Sequence, residues 1–358
     1  MADQQAVAPG AVMHRVGAPA RTAHLKISHV GACLLIMVVV ALLGCALGPV
    51  PVSPLRVLAT MVDQLPFVTM TDTLTPSETA ILVKLRLPRV ALGLLVGGLL
   101  AGCGATYQGV FRNPLADPYL LGAASGAGLG AVTAIAVGLG GAGVWGVPLF
   151  AFVGALLAVA LTYGLGGTGA YGGTTSLILA GVAVSAFASA VQTFLMQSNS
   201  EQLKEVYSWL LGRLATSGWR DVLLVLPYAV LSLGFVVINR RILDVMALGD
   251  EEATMVGLRP NRARILLVLA ASLGTAAAVS VSGLIGFVGI VVPHLVRLVF
   301  GTSYRVIIPL SIIIGAALLV GTDIVARMAL APAEIPIGVV TAFLGAPFFL
   351  LLLRSARR

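Results

Sequence analysis

Residues 89–111 read RVALGLLVGGLLAGCGATYQGVF. After Arg89 this run contains no charged side chain, and its length matches the roughly 20 apolar residues that cross a bilayer as an α-helix. Its glycines and alanines are small residues of the kind that let membrane helices pack closely against one another. The stretch therefore predicts a transmembrane helix in a closely packed bundle.

The composition extends this prediction to the whole chain of 358 residues. Hydrophobic residues make up 58% of it and charged residues 10%, whereas soluble domains carry about 25% charged residues. So few charges cannot cover a surface in water, which excludes a soluble enzyme, a coiled coil and a disordered chain. A membrane β-barrel would show alternating segments of about 10 residues, but the apolar runs here are long and continuous. We predict an all-α polytopic membrane protein.

About ten apolar stretches qualify as transmembrane helices. They follow a cytosolic N-terminal tail, residues 1–29, and form one transmembrane domain, residues 30–358. The predicted spans are 30–49, 89–111, 119–139, 146–166, 176–196, 221–239, 264–285, 286–300, 306–326 and 337–354.

Basic residues set the predicted orientation, because short cytosolic loops carry more Lys and Arg than external loops do. With both termini in the cytosol, fourteen of the 22 basic residues lie inside and the other eight lie outside. The external residues are Arg56, Lys84, Arg86, Arg89, Lys204, Arg213, Arg220 and Arg327. Their clustering indicates an acidic partner on that side. The net charge of +8 is thereby assigned to topology and docking, and it predicts no nucleic-acid partner.

The most informative water-facing stretch is 240–264, where acidic residues lie between two glycines. The run Asp250–Glu252 follows Gly249 and falls in the first turn of a short helix, where the helix dipole favours negative charge. Gly257 then ends this helix as a C-cap glycine would. We predict a cytosolic coupling helix that docks into a soluble partner; the alternative is an amphipathic helix lying on the membrane surface.

Two further stretches place charges near the ends of spans. Arg86 and Arg89 are three residues apart beside Pro88, so on a regular helix they share a face. Their alternative role is to reach from the span to the membrane interface. Asp323 and Arg327 have the i,i+4 spacing of a helical ion pair.

Two loops contain helix breakers. Residues 108–130 contain Asn113 and two prolines followed by glycines, but they lack the Lys-Ser/Thr of a nucleotide-binding P-loop. Residues 331–338 contain two prolines and a glycine, which predicts a broken or short re-entrant helix before the last span. No cluster of metal ligands is visible in the sequence, and the cysteines are predicted to be small buried hydrophobes. They are Cys33, Cys45 and Cys103.

Eight short motifs follow one another over about residues 86–350. They are RLPR (86–89), NPLADP (113–118), LAGVA (179–183), WLLG (209–212), LGDE (248–251), GFVGIVVPH (286–294), APAEIP (331–336) and GAP (345–347). In this order they resemble the FecCD permease family, the permease subunits of type II ATP-driven importers for iron–siderophores, haem and cobalamin.

The resemblance implies a ten-helix type II ABC importer permease that forms a homodimer with a second copy. Two cytosolic ATP-binding subunits would carry ATP and Mg²⁺, and an external substrate-binding protein would deliver the cargo. That cargo would be a metal chelate (a ferric siderophore, haem or cobalamin), moved by alternating access across the bacterial inner membrane. The chain has no Walker motif, so we expect a non-catalytic subunit that binds no cofactor or metal of its own.

The resemblance also implies roles for single residues. The family's external arginines, which receive acidic residues of the binding protein, correspond to Arg86, Arg89 and Arg327. The ATPase-coupling segment, about 240–263, has its matching residues at Leu248, Gly249, Asp250, Glu251, Ala253, Gly257 and Leu258. The cytosolic gate, between spans two and three and between spans four and five, corresponds to Asn113, Leu115, Thr174 and Thr175.

The main alternative is a secondary transporter driven by protons or sodium, which would carry acidic residues in the middle of its spans. Nearly all of the 14 acidic residues fall in tails or loops. Asp323 and Glu334 are the exceptions, and both lie near the outer ends of spans. The distribution of acids therefore favours the ATP-driven importer.

Overall fold

The computed structural model describes residues 25–48, 52–63, 74–139, 146–167, 174–214 and 218–355, and most of the predicted N-terminal tail lies outside them. Within these ranges the chain is helical apart from turns and one isolated β-bridge, between Leu330 and Ala333. The helices are α1 (Ile27–Ala46), α2 (Pro54–Asp63), α3 (Pro76–Ile81), α4 (Leu87–Phe111), α5 (Ala123–Ala136), α6 (Gly146–Gly166), α7 (Thr174–Ser198), α8 (Leu203–Leu210), α9 (Trp219–Met246), α10 (Asp250–Met255), α11 (Pro260–Ser282), α12 (Val288–Phe300), α13 (Tyr304–Met328) and α14 (Ile337–Ser355).

Each predicted span coincides with one of these helices. Among the described residues, seven helices are long and apolar enough to cross a membrane, and α5, α12 and α14 supply shorter apolar segments. The all-α polytopic fold is therefore confirmed. The number of crossings and the placement of both termini in the cytosol stay predictions.

The structure corrects two of the sequence predictions. The sixth span was predicted to end at 239, but α9 continues to Met246 because Leu243 and Met246 are fully buried and arginine is a good helix former. The predicted coupling segment therefore begins inside α9. Residues 331–338 were predicted to form a broken or re-entrant helix, and this prediction was wrong. No helix lies between Met328 and Ile337, because the prolines in this segment cannot supply the helical N–H bonds.

Helix α4 is the centre of the bundle, and nearly all of its residues from Val96 to Phe111 are buried. It packs against α9, α11, α12 and α13. Gly97 of α4 lies against Gly315 of α13 so closely that an added Cβ would collide with the Gly315 carbonyl. The sequence of small residues in α4 is therefore what allows the neighbouring backbones to approach.

Hydrogen bonds between side chains and neighbouring helices supplement this packing. The hydroxyls of Tyr107 on α4 and Ser272 on α11 lie 2.6 Å apart, and Ser232 on α9 donates to the Ala270 carbonyl at 2.7 Å. These groups are buried with their bonding needs met, as polar groups inside proteins generally are. They fix the register of α9 and α11 around α4.

Replacing Gly97 by alanine is expected to destabilise the protein by about 1–3 kcal/mol, because the new methyl group overpacks the contact with α13. Gly234 on α9 provides the matched control, since a Cβ there meets no atom within 4 Å. Gly234→Ala should be neutral or slightly stabilising. Thermal unfolding of the purified protein in detergent measures both effects, and equal melting temperatures for the two variants would contradict the packing.

Candidate functional site

Two charged clusters lie at opposite ends of α4. The outer cluster, at the end predicted to be external, consists of Arg86, Arg89, Asp323, Arg327 and Glu334. The inner cluster, at the other end, consists of Arg112, Asp250 and Arg264. Because a helix rises 1.5 Å per residue, Arg89 and Arg112 are separated by about 35 Å along α4.

Arg89 joins α4 to α13 and to the segment before α14. Its guanidinium group donates to both carboxylate oxygens of Asp323 at 2.8–3.1 Å and to both oxygens of Glu334 at 3.0 Å. Asp323 also pairs with Arg327 at 3.0 Å, which confirms the predicted i,i+4 ion pair. Asp323 is 2% exposed and Arg327 is 3% exposed, so this carboxylate balances two guanidinium charges inside the protein.

Arg86 and Arg327 both cap the C-terminus of α1. Arg327 donates to two carbonyls near this end at 3.0 and 3.1 Å, and Arg86 donates to two others at 2.8 and 2.7 Å. The last carbonyls of a helix have no partner within the helix, and its dipole attracts positive charge there. The accepting residues are Gly44, Cys45, Ala46 and Leu47.

A turn of π-helix, Leu82–Arg86, directly precedes α4 and ends at Arg86. In it the N–H of Leu87 bonds to the carbonyl of Leu82, five residues back, and Pro88 has no N–H to continue the regular pattern. The expectation of a shared face applied to a regular helix; here the turn that ends at Arg86 is π-helical, and the two side chains bind different segments within the same outer cluster. Arg86 contacts α1, whereas Arg89 contacts α13 and the segment before α14.

A polar cavity of about 220 Å³ opens beside Arg89 and is lined also by Asp323, Glu334, Ser208 and Arg213. Arg213 follows α8 and donates to the Ser208 hydroxyl at 3.4 Å. The sequence placed Arg213 among the external basic residues, but nothing in its spacing associated it with Arg89. The two line the same cavity only because the chain after α8 lies beside α4, where Leu214 adjoins Gly93.

The inner cluster connects three separate elements through one carboxylate. Asp250, at the start of α10, accepts from Arg112 at the end of α4 and from Nη2 of Arg264 on α11 at 3.2 and 3.0 Å. Arg112 has a φ of 49°, a left-handed conformation that costs an L-residue about 1–2 kcal/mol. In α10 itself, the predicted short helix is present with all its acids in the first turn.

The end of α10 is also as predicted. Gly257 has a φ of +83°, its N–H bonds to Thr254 at 2.9 Å, and the N–H of Leu258 bonds to Ala253 at 3.0 Å. This is the pair of bonds of a Schellman C-cap. Ala253 is fully buried, which fixes α10 to the bundle and leaves three large apolar side chains exposed: Leu248, Met255 and Val256.

The gate candidates lie on two different segments. Asn113 and Leu115 belong to the folded loop between α4 and α5, where Asn113 Oδ1 accepts from the Leu115 N–H at 2.9 Å and Leu115 is half exposed. Thr174 begins α7, and Thr175 is exposed. The rest of that second predicted gate, residues 168–173, lies outside the described residues.

The cysteines are buried, as the sequence predicted. All three cysteines are free and buried. Among the described residues, no group of three or more His, Cys, Asp or Glu side chains could hold a metal ion.

The apolar bundle, with charged clusters at both of its ends, is that of a polytopic membrane protein. The family model of the FecCD transport family matches residues 34–355. The chain belongs to this family, and the resemblance seen in the motifs is confirmed.

Known relatives agree with this assignment. The chain is 44% identical to the cobalamin import system permease protein BtuC of Halobacterium salinarum, over 78% of this chain and 75% of the relative. It is 39% identical to the Fe(3+)-citrate import system permease protein YfmD of Bacillus subtilis, over 78% and 83%. Among solved structures, an inward-facing metal-chelate type ABC transporter aligns with a TM-score of 0.80 and 28% identity, covering 92% of this chain and all of that one.

Replacing Asp323 by asparagine is expected to destabilise the protein by about 3–5 kcal/mol, because Arg327 is left buried without an opposite charge. Glu334→Gln is the matched control. Glu334 also bonds Arg89, but a third of its side chain is exposed, and its loss should cost about 1 kcal/mol or less. Thermal unfolding in detergent compares the two, and a larger loss for Glu334→Gln would show that Asp323 does not hold the outer cluster.

Proposed function

We propose that this chain is the permease subunit of an ATP-driven importer that moves a metal chelate into the cytoplasm through the inner membrane. Membership of the FecCD family carries this proposal. Relatives named for the import of cobalamin and of ferric citrate indicate a chelate of this class: a ferric siderophore, haem or cobalamin. An ion-coupled secondary transporter is less well supported, because Asp323, the most buried acid of the outer cluster, is already neutralised by two arginines.

In the working transporter this chain would have four kinds of partner. A second copy would complete the pathway, and that copy and the membrane lipid would cover the exposed apolar faces of α7 and α14. Two ATP-binding subunits in the cytosol would bind ATP and Mg²⁺ and hydrolyse the nucleotide, so this chain is a non-catalytic subunit with no cofactor of its own. An external binding protein would deliver the chelate.

The binding protein docks over the polar cavity beside Arg89. The two carboxylates on Arg89 differ in access, because Asp323 has 3% of its side chain exposed and Glu334 has 33%. Glu334 is therefore the exchangeable partner, and an acidic residue of the binding protein takes its place between Arg89 and Arg213. The resemblance implied that Arg86 and Arg327 also receive acidic residues of the binding protein, but both are buried on carbonyls at the end of α1. We therefore assign them an indirect role in docking, in which they fix α1 against α4 and α13.

The ATPase docks on α10. The exposed surface of α10 and its flanking residues combines Glu251 with the apolar side chains of Leu248, Met255 and Val256. Large apolar groups exposed together in a water-facing segment are typical of protein–protein contacts. Movement of α10 on ATP binding and hydrolysis opens the pathway first to one side and then to the other, with Asn113, Leu115, Thr174 and Thr175 at the cytosolic gate.

Replacing Glu334 by glutamine is expected to tighten docking of the binding protein by up to about fivefold, because an internal competitor for Arg89 is removed. Arg213→Gln should weaken docking and reduce its dependence on salt. Lys204→Gln, at an exposed basic residue on α8, is the control. Titration of the binding protein onto permease in nanodiscs at several salt concentrations measures all three. Unchanged affinity in both Glu334→Gln and Arg213→Gln would refute this docking mode.

Replacing Met255 by aspartate is expected to weaken ATPase association by about tenfold or more, because a central apolar contact becomes charged. In proteoliposomes that contain the assembled transporter, uptake of the chelate should require ATP, persist in the presence of a protonophore, and fall in this variant. The control is Arg354→Gln, at an exposed position on α14 outside the coupling segment. Uptake driven by an ion gradient without ATP would contradict the proposed function.

A further inference from the structure

The acid at the start of α10 is directed towards the permease itself. Of the three acids in its first turn, Asp250 is bound by two arginines of this chain, Arg112 and Arg264. Glu251, the next residue, is exposed and available to a partner. The family resemblance places both acids in the same coupling segment, but the structure separates them by what they contact.

Arg112 occupies a position where glycine is the usual residue. The N–H of Asn113 bonds to the Gln108 carbonyl at 3.1 Å, and the N–H of Arg112 bonds to the Gly109 carbonyl at 3.4 Å, which is the Schellman arrangement at the end of α4. Its left-handed residue is normally glycine, because glycine has no Cβ to strain. The arginine side chain therefore does something here that the helix end does not need, and its ion pair with Asp250 is that interaction.

The loop that begins at Arg112 is folded tightly enough to move as a unit. Asn113 Oδ1 accepts from Leu115, the Asn113 carbonyl accepts from Ala116 at 3.0 Å, and Asp117 Oδ1 accepts from Tyr119 at 2.9 Å. Further along, the Tyr119 hydroxyl donates to the Ile285 carbonyl at 2.9 Å, next to the start of α12. A displacement at Arg112 is therefore carried into the segment that holds Asn113 and Leu115.

Arg264 holds the shared carboxylate in place on the other side. It donates to both oxygens of Asp250 and, through Nη1, to Asn261 at 2.9 Å. Its side chain is 12% exposed, against 38% for Arg112 and 47% for Asp250. The carboxylate thus has one well-packed partner on α11 and one more accessible partner at the end of α4.

We propose that Asp250 is a positioning residue that transmits the position of α10 to the α4–α5 loop through Arg112. This inference rests on the proposed function, because it takes α10 to be the element that the ATPase moves. It differs from a direct contact between Asp250 and the ATPase, which would leave Arg112 without a role.

The test uses Arg112→Gly in the complete transporter, since glycine suits the left-handed position and keeps the helix end intact. Cobalamin, haem and ferric citrate are supplied in turn, and the one that the wild-type transporter imports is the probe. We expect unchanged or higher thermal stability, unchanged ATPase association, and a fall of about fivefold or more in probe molecules imported per ATP hydrolysed. Arg112→Lys should retain part of the coupling. Arg354→Gln, at an exposed arginine on α14 outside the coupling segment, should match the wild type.

A double-mutant cycle separates the link from two independent effects. Asp250→Asn should lower the same import ratio. The double variant Arg112→Gly/Asp250→Asn should have a ratio no lower than that of the more impaired single variant, because the effects of substitutions at contacting residues are not additive. Additive losses, or an import ratio for Arg112→Gly equal to that of the wild type, would overturn the link.

Hydrogen exchange in the isolated permease provides a readout that does not depend on transport. The amides of residues 113–122 should exchange faster in Arg112→Gly and in Asp250→Asn than in the wild type or in Arg354→Gln. If exchange stays unchanged in both variants, the link fails, whatever the transport result. If the wild-type transporter shows no ATP-dependent import while exchange rises as expected, the proposed function fails and the link within the chain stands.

Discussion

The structure depends on one buried carboxylate, that of Asp323. Charges inside an apolar bundle are costly unless they are paired, and Asp323 pairs with Arg89 on α4 and with Arg327 on its own helix. Arg327 in turn caps α1. A single acidic group therefore joins three helices at the outer end of the bundle, and it makes that end the fixed one.

The inner end also depends on a carboxylate that pairs with two arginines, but there the carboxylate is more exposed to solvent. Asp250 also balances two arginines, but nearly half of its side chain is exposed, so the pairs are weaker and can exchange more readily. Between the two ends runs α4, buried and packed through glycines that let α13 approach its backbone. A stiff central helix with one rigid and one adjustable end suits a permease that transmits events in the cytosol to a pathway through the membrane.

Apolar runs and glycine signals were enough to predict the spans and the short helix that Gly257 ends, because both are local properties of the chain. The ion pair of Asp323 and Arg327 was also predictable, since i,i+4 spacing on one helix decides it. The π-helical turn before Pro88 was not, nor were the separate partners of Arg86 and Arg89, which lie on distant segments of the chain. Arg112 pairs with Asp250, and Arg213 lines the polar cavity beside Arg89. The residues of each pair are far apart in sequence, so only the packing of whole helices brings them together.

A structure of the complete transporter, with its ATP-binding subunits and binding protein, tests this account most directly. The account predicts that the ATPase covers Met255 and Val256, that the binding protein lies over Arg89 and Arg213 at the opposite end, and that Arg86 and Arg327 still cap α1. An ATPase seated away from α10, or a binding protein held by Arg86 and Arg327 after they have left α1, would contradict it.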